Sequence, residues 1–368
     1  MTQITQGQVV ALFAFDVGYK VSLEQVRGLL SSMPIQPLSG KKQTPSYLQY
    51  TRPPQVLNLG ETEILNGVLD QPGQLQAKVF DFAAVSLAYR WPLTEHGQGL
   101  QLQDLPQISQ QIYNRSLEAH ARSQIQNLID KIQPAIVRPD LSVLVEDYYV
   151  FILENLNQPL QAAEILTQYR STFAQVLRFD TQPLSLEQQE EALGQKISYY
   201  ESDLVLMDWN AAVIYDQDYW DTVNVLELLN AELLEARCID AQLDKRVEDY
   251  EGLVQKRVEW PIPLRTPYGR AIESLAELRL ESSLLTERVE NALKLIGDVY
   301  LARVHTAATQ RFYLQEWQTS ISRKLDIIAN LYQLLTDRVS TAQSQTLELV
   351  IIVLILIEIL VGLFNRAA

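Results

Sequence analysis

The chain has 368 residues, 47% of them hydrophobic, and a formal net charge of −15. That length and apolar content suffice for one large core or two smaller ones. The acidic balance, with no Lys/Arg cluster to override it, speaks against nucleic acid as a partner, and the single cysteine, Cys238, excludes a disulfide framework and a cysteine-based metal site.

Residues 9–15 (VVALFAF) read as a buried strand. The run is too short for a signal peptide and no Lys or Arg precedes it, so the soluble part is expected to stay on the side where it is made. A short helix follows over 22–30, with Ser22 as N-cap and Gln25 at the capping-box spacing. Residues 33–54 are rich in Pro, Ser, Gln and Lys and read as loop; its Lys41, Lys42 and Arg52 form the most basic patch. Residues 55–59 read as a strand and 61–68 as weakly helical, and the alternating stretch 75–91 reads as one long strand or a hairpin. Apolar spacing predicts a helix over 105–132, a strand over 141–153, and helices over 160–177 and 184–196. In 197–216 two strands flank Asp208-Trp209-Asn210, a tight turn. The fold class to about residue 217 is therefore an α+β domain with a mainly antiparallel sheet.

After Asp218 the strand signals stop. Residues 218–258 predict a first arm helix with an apolar seam broken by one misfit, Asp240. Residues 259–269 are a Pro-rich turn, and 270–345 hold a second and a third arm helix, with a break near 312–320. The third helix carries a coiled-coil seam of Ile321, Leu325, Ile328, Tyr332, Leu335 and Val339. That seam serves either packing of the arm on itself or a homo-oligomer through the arm.

The stretch 346–364 is a transmembrane helix. Residues 347–364 (LELVIIVLILIEILVGLF) span ~27 Å as a helix, close to a bilayer's hydrocarbon core. The residues that mark the span and its contacts are Leu347, Glu348, Ile351, Ile355, Glu358 and Gly362. Glu348 stands at the mouth. Glu358 lies deeper, where a carboxylate is expensive and is expected to meet a second surface shared with Gly362.

The chain shows no Gly-rich phosphate loop, nucleophile elbow or dinucleotide fingerprint, and His96, His120 and His305 are not at ligand spacing. No catalytic residue, metal or cofactor is expected. The acidic cluster of Asp203, Asp208, Asp216, Asp218 and Asp221 is the best alternative, since paired carboxylates could hold Mg²⁺. Asp208, Trp209, Asn210, Tyr215 and Trp220 form the candidate partner or packing surface.

Three segments, DLVLMDWNAAVIYD (203–216), DTVNVLELLNAELLEARCIDAQLD (221–244) and ERVENALKLIGDVYLARVHTAA (287–308), taken in order, resemble bacterial members of the "required for meiotic nuclear division" family. The ending is similar too, with Thr346-Leu347-Glu348-Leu349-Val350-Ile351 and Ile357-Glu358, although Leu349 stands where that family often has an aromatic residue. The resemblance implies a membrane protein with no established catalytic residue; the family's mitochondrial members are inner-membrane proteins thought to support the organelle's translation apparatus.

The sequence thus predicts a non-enzymatic, single-pass scaffold anchored in the lipid bilayer by its C-terminal helix. The bulk of the chain is expected on the cytoplasmic side, binding a protein partner whose identity is unknown. Two alternatives stand beside it: a divalent-cation transporter of CorA-type architecture, which would need a second span and a Gly-Met-Asn signature, and a metal-dependent enzyme using the Asp208/Asp216 cluster.

Overall fold

A computed structural model describes residues 2–30, 48–50, 52–95, 98–255, 293–295 and 299–367, with single positions between 273 and 287. The basic patch at Lys41 and Lys42, His96, the Pro-rich turn and most of the second arm helix lie outside the described residues. Arg52 is described, and pairs with Asp81 at 3.1 Å.

The chain begins with β1 (Gln3–Asp16), β2 (Lys20–Val21) and α1 (Leu23–Leu29), whose N-cap Ser22 accepts from the backbone N–H of Gln25 as predicted. Next come β3 (Leu48–Tyr50), β4 (Gln55–Thr62), β5 (Gly73–Val79), β6 (Ala84–Pro92), β7 (Thr94–Glu95) and β8 (Gln98–Gln101). Helices α2 (Leu105–Tyr113) and α3 (Leu117–Ile132) replace the single helix expected over 105–132, because Ser116 takes a left-handed backbone at φ 50° between them. After β9 (Ile136–Val137) and β10 (Val145–Leu156), the helix expected over 160–177 is likewise split at Tyr169 into α4 (Ala162–Gln168) and α5 (Arg170–Arg178). Then follow α6 (Leu186–Ala192), β11 (Gln195–Ile197), β12 (Leu204–Met207), β13 (Ala211–Tyr215) and α7 (Trp220–Gln255). A three-residue strand β14 (Leu293–Leu295) and helices α8 (Val299–Arg311) and α9 (Leu314–Ala367) complete the described chain.

The main sheet runs in the order β11-β12-β13-β10-β1-β6-β5-β4. All neighbours along it are antiparallel except β10 and β13, which pair in parallel. The expected α+β domain with a mainly antiparallel sheet is thus what the chain forms. Strand alternation gives the sheet two faces. One carries Val9, Ala11, Phe13 and Phe15 of β1 with Leu87 and Tyr89 of β6, and packs with residues of α2, α3 and α5 such as Ile112, Ile125 and Phe173. Burying this layer favours folding by ~25 cal/mol per Å² of apolar area removed from water.

The other face carries Lys78, Ser86, Arg90, Glu146 and Tyr148, and the first half of α7 lies on it. The Lys78 ammonium donates to Asn224 Oδ1 at 3.0 Å and pairs with Glu227. Asn230 donates to the Glu146 carbonyl at 3.1 Å, and Arg237 pairs with the Glu146 carboxylate. This half of α7 is buried almost all round, polar residues included. Hydrogen bonds and ion pairs to the sheet offset much of the cost of burying those groups.

The chain divides into two units, Met1–Cys238 with Arg288–Glu316, and Ile239–Glu287 with Trp317–Ala368. The first of these units runs into α7 and takes in α8 as well. Leu226, Leu229 and Leu233, in the stretch expected to be the first arm helix, are buried within the first unit. The region expected to be all arm also returns to the first unit: β14 pairs with β3, and α8 packs beside β11 and β12. Seams of leucine at helical spacing do not say whether a sheet or a helix will cover them.

In the second unit the misfit Asp240 finds its reason. Its carboxylate accepts from Ser320 Oγ at 2.8 Å and pairs with Lys324 Nζ at 2.8 Å, both on α9. Ile321, Ile328 and Leu335 are buried on their own chain, Leu325 and Val339 are half-buried, and Tyr332 is exposed. The expected break falls at Phe312 and Tyr313, the latter in a left-handed conformation at φ 54° between α8 and α9.

Helix α9 is long and apolar enough to cross a membrane: its best 18-residue window has a mean hydropathy of 2.4 and no buried residue. Leu347, Ile351 and Ile355 are all exposed, as are Glu348, Glu358 and Gly362. A water-soluble helix would hide such a stretch in a core.

Candidate functional site

The turn between β12 and β13 brings a buried carboxylate, two arginines and exposed aromatic rings together. Pairing of Met207 with Ala212 closes the strands on a short connection, and the Asp208 backbone N–H donates to the Ala211 carbonyl at 2.8 Å. Asp208 sits at the strand end with its side chain turned inward, only 1% exposed. One carboxylate oxygen accepts from Arg311 Nε at 2.8 Å and from the Trp209 backbone N–H at 2.7 Å. The other pairs with Arg178 Nε at 2.7 Å. Arg178 also meets Glu191 at 3.2 Å, and the two arginines hold the Glu191 carboxyl below its ordinary pKa range. Tyr148 donates its hydroxyl to the Asp208 carbonyl at 3.1 Å; burial raises that phenol well above its ordinary value, so it stays a donor.

Above this anchored carboxylate stands a shelf. Trp209 is 42% exposed and Tyr313 is 46% exposed, with ring centroids 5.7 Å apart. Below, Phe312 meets Tyr148 edge-to-face at 5.0 Å. Helix α8 reaches the shelf from a second aromatic group at its other end, where Tyr300 contacts Tyr199 and Tyr199 contacts the exposed Tyr200. Arg311 and Tyr313 are therefore the residues that sequence reasoning missed. They belong to a segment that read as arm, and only the return of α8 to the sheet brings them here.

The rest of the predicted surface is dispersed. The Asn210 carbonyl accepts from the Tyr149 backbone N–H at 3.0 Å, and the buried Tyr215 donates its hydroxyl to the Leu160 carbonyl at 3.1 Å. Trp220 stacks on Tyr219 at 5.2 Å and lies 4.7 Å beneath the Arg90 guanidinium. Asn210 thus stays in the turn beside Trp209 with its carbonyl tied to β10, while Tyr215 and Trp220 make packing contacts at the other end of β13 and under the sheet. Asp208 and Asp216 lie at opposite ends of β13, roughly 17 Å apart at strand rise, so one ion cannot bridge them. Asp203 accepts from the backbone N–H groups of Tyr199 and Tyr200, and Asp216 from that of Asp218. Burial raises the Asp216 carboxyl above its ordinary pKa, with help from Asp203 and Asp218. Among the described residues no group of three or more His, Cys, Asp or Glu side chains is arranged to hold a metal.

A second acidic group lies under α7. Asp16, at the end of β1, is pushed up to about pKa 6 chiefly by burial. Glu235 on α7 is 1% exposed, one of its carboxylate oxygens has no hydrogen-bond partner, and burial first and Asp16 second hold its carboxyl well above the ordinary range. Cys238, hydrogen-bonded to Ser142 at 3.5 Å, is also raised by burial and is a poor nucleophile.

Comparison with known proteins corrects the resemblance read from the three segments. The uncharacterized protein MJ0711 of the archaeon Methanocaldococcus jannaschii is 24% identical over 240 residues, covering 65% of this chain and 72% of its own. No solved structure matches the chain. Nothing ties the chain to the meiotic-division family, and the expectation of a bacterial family conflicts with an archaeal relative. The three segments misled for a physical reason: the first is a hairpin, the second lies in α7 and the third ends in α8, and hairpins and helices of such spacing occur in many unrelated folds. Residues 6–221 match the model described as "Uncharacterized protein MJ0711, N-terminal domain". The chain belongs to that family.

Proposed function

We propose that the protein is a membrane-tethered interaction protein: the apolar half of α9 enters the bilayer, and the α+β unit binds a soluble protein on the cytoplasmic side. The observation that carries this reading is the fully exposed apolar window of α9. Insertion in lipid gives that surface the apolar surroundings that none of the described residues supplies. The cytoplasmic side suits a chain whose single thiol is free and buried. The full chain should resist alkaline extraction from membranes, and a chain ending at residue 344 should be soluble; full-length protein released by alkali would sink the reading.

Binding is assigned to the Trp209–Tyr313 shelf, rimmed by Arg178 and Glu191. Trp, Tyr and Arg dominate the energetic centres of protein interfaces, and here the β12–β13 turn and the α8–α9 connection each leave one ring exposed. Trp209→Ala should weaken crosslinking to the partner in native membranes by about tenfold or more. Val143→Ala, at a highly exposed apolar site elsewhere on the unit, should leave it unchanged. Equal losses from both would remove the shelf from the proposal.

A further inference from the structure

Helix α9 runs without interruption from Leu314 to Ala367, so the direction of any side chain along it follows from helical geometry. Its own chain covers one side: Ile321, Ile328 and Leu335 are buried at seven-residue spacing. At 100° per residue, Leu347, Ile351, Ile355, Glu358 and Gly362 fall between about 120° and 200° from Leu335. They share one face, and it points away from the face that the chain buries. Val353, by contrast, continues the buried side at about 0°.

Glu358 is the only charged residue between Glu348 and Arg366. It lies ~9 Å from residue 364 and ~16 Å from residue 347, well inside the apolar stretch. A carboxyl group there needs a hydrogen-bonding partner, and its side chain is too short to reach the interface. Gly362 stands one turn on, and nothing lies within 4 Å of where its Cβ would be. A neighbouring helix can therefore come close beside the carboxyl group.

We infer that the Leu347–Ile351–Ile355–Glu358–Gly362 face is a homodimer contact within the membrane, in which Glu358 pairs with Glu358 of a second copy. This rests on the span proposed above. The argument for a second copy is complementarity of depth and chemistry. Two copies inserted in the same sense bring the same carboxyl group to the same level. Two carboxyl groups meeting there pair through shared protons, each giving the other the hydrogen bond that lipid withholds. A two-fold axis makes such a face self-complementary, and Gly362 lies beside the axis on both copies.

The test uses the full-length protein in native membranes, with one cysteine added on either side of the helix; the native Cys238 is buried. Oxidative crosslinking from Ile355→Cys should give a species of twice the 42.0 kDa chain, and Val353→Cys little of it. Adding Glu358→Leu should cut the Ile355→Cys crosslink by about tenfold, while Glu358→Gln, which still hydrogen-bonds, should retain it. Equal crosslinks from both positions, an adduct of another mass, or a crosslink indifferent to Glu358→Leu would overturn the homodimer. Alkaline extraction of the same membranes separates that failure from failure of the span: release would overturn the span, and the dimer face with it.

Discussion

Replacing Asp208 with alanine should destabilise the α+β unit by about 3–5 kcal/mol, among the largest single effects expected here. The side chain is buried and faces two guanidinium groups. Removing it leaves Arg178 and Arg311 with like charges converging on an emptied site. Such a site costs more than the intact pairs contribute, because the desolvated charges lose their counter-charge. The Trp209 backbone N–H also loses its acceptor. Arg311→Ala should cost less, since Asp208 keeps Arg178. The double variant Asp208→Ala/Arg311→Ala should be less destabilised than the sum of the two single variants. The measurement is urea unfolding followed by Trp fluorescence. A loss below about 1 kcal/mol for Asp208→Ala would show the clamp to be incidental.

The second large effect is a stabilisation. Asp16→Asn should raise stability above pH 6 by about 3 kcal/mol, because the carboxyl titrates at about 6 in the folded chain against 3.8 in the reference state. The sign follows from linkage. A raised folded pKa means that the folded chain holds the proton more tightly than the unfolded chain. The stability it contributes is fully present below pH 3.8 and is lost as pH rises through about 6. Burial is the main cause, and Asp140 adds to it; the Gly18 backbone N–H, which donates to Asp16 Oδ1 at 3.0 Å, opposes it. Asparagine keeps that acceptor and removes the charge. Wild type and Asp16→Asn should therefore have equal stability near pH 3.5 and diverge between pH 4 and 6. Glu235→Gln should change stability in the same direction, because Glu235 is also raised by burial and by Asp16. Urea midpoints across pH decide the matter, and an Asp16→Asn variant less stable than wild type at pH 7.5 would refute it.

Local signals in the chain were legible where the physics is local. Ser22 caps α1 because a hydroxyl three residues before a free backbone N–H needs nothing else. The 75–91 stretch resolves into the hairpin of β5 and β6, and Asp208-Trp209-Asn210 turns where the pattern put it. Less legible were positions whose meaning depends on what arrives from elsewhere. Leu226 and Leu229 have the spacing of a coiled-coil seam, yet they are buried within the first unit, in the half of α7 that lies on a sheet. Arg311 and Asp208 lie 103 residues apart in sequence, and no periodicity connects them. Asp208 and Asp216 are eight positions apart and looked like a pair, but Asp208 stands at the turn and the whole length of β13 lies between it and Asp216.

The sequence by itself determined the α+β class, the antiparallel character of the sheet and the apolar stretch of α9. Each follows from side-chain period and run length, which need only neighbours along the chain. Only the tertiary structure decided that the first half of α7 is core, that α8 returns to the first unit, and which carboxylates are clamped by arginine and which are raised by burial. Those outcomes depend on contacts between segments far apart in sequence, where burial, not local propensity, sets the free energy of every buried charge.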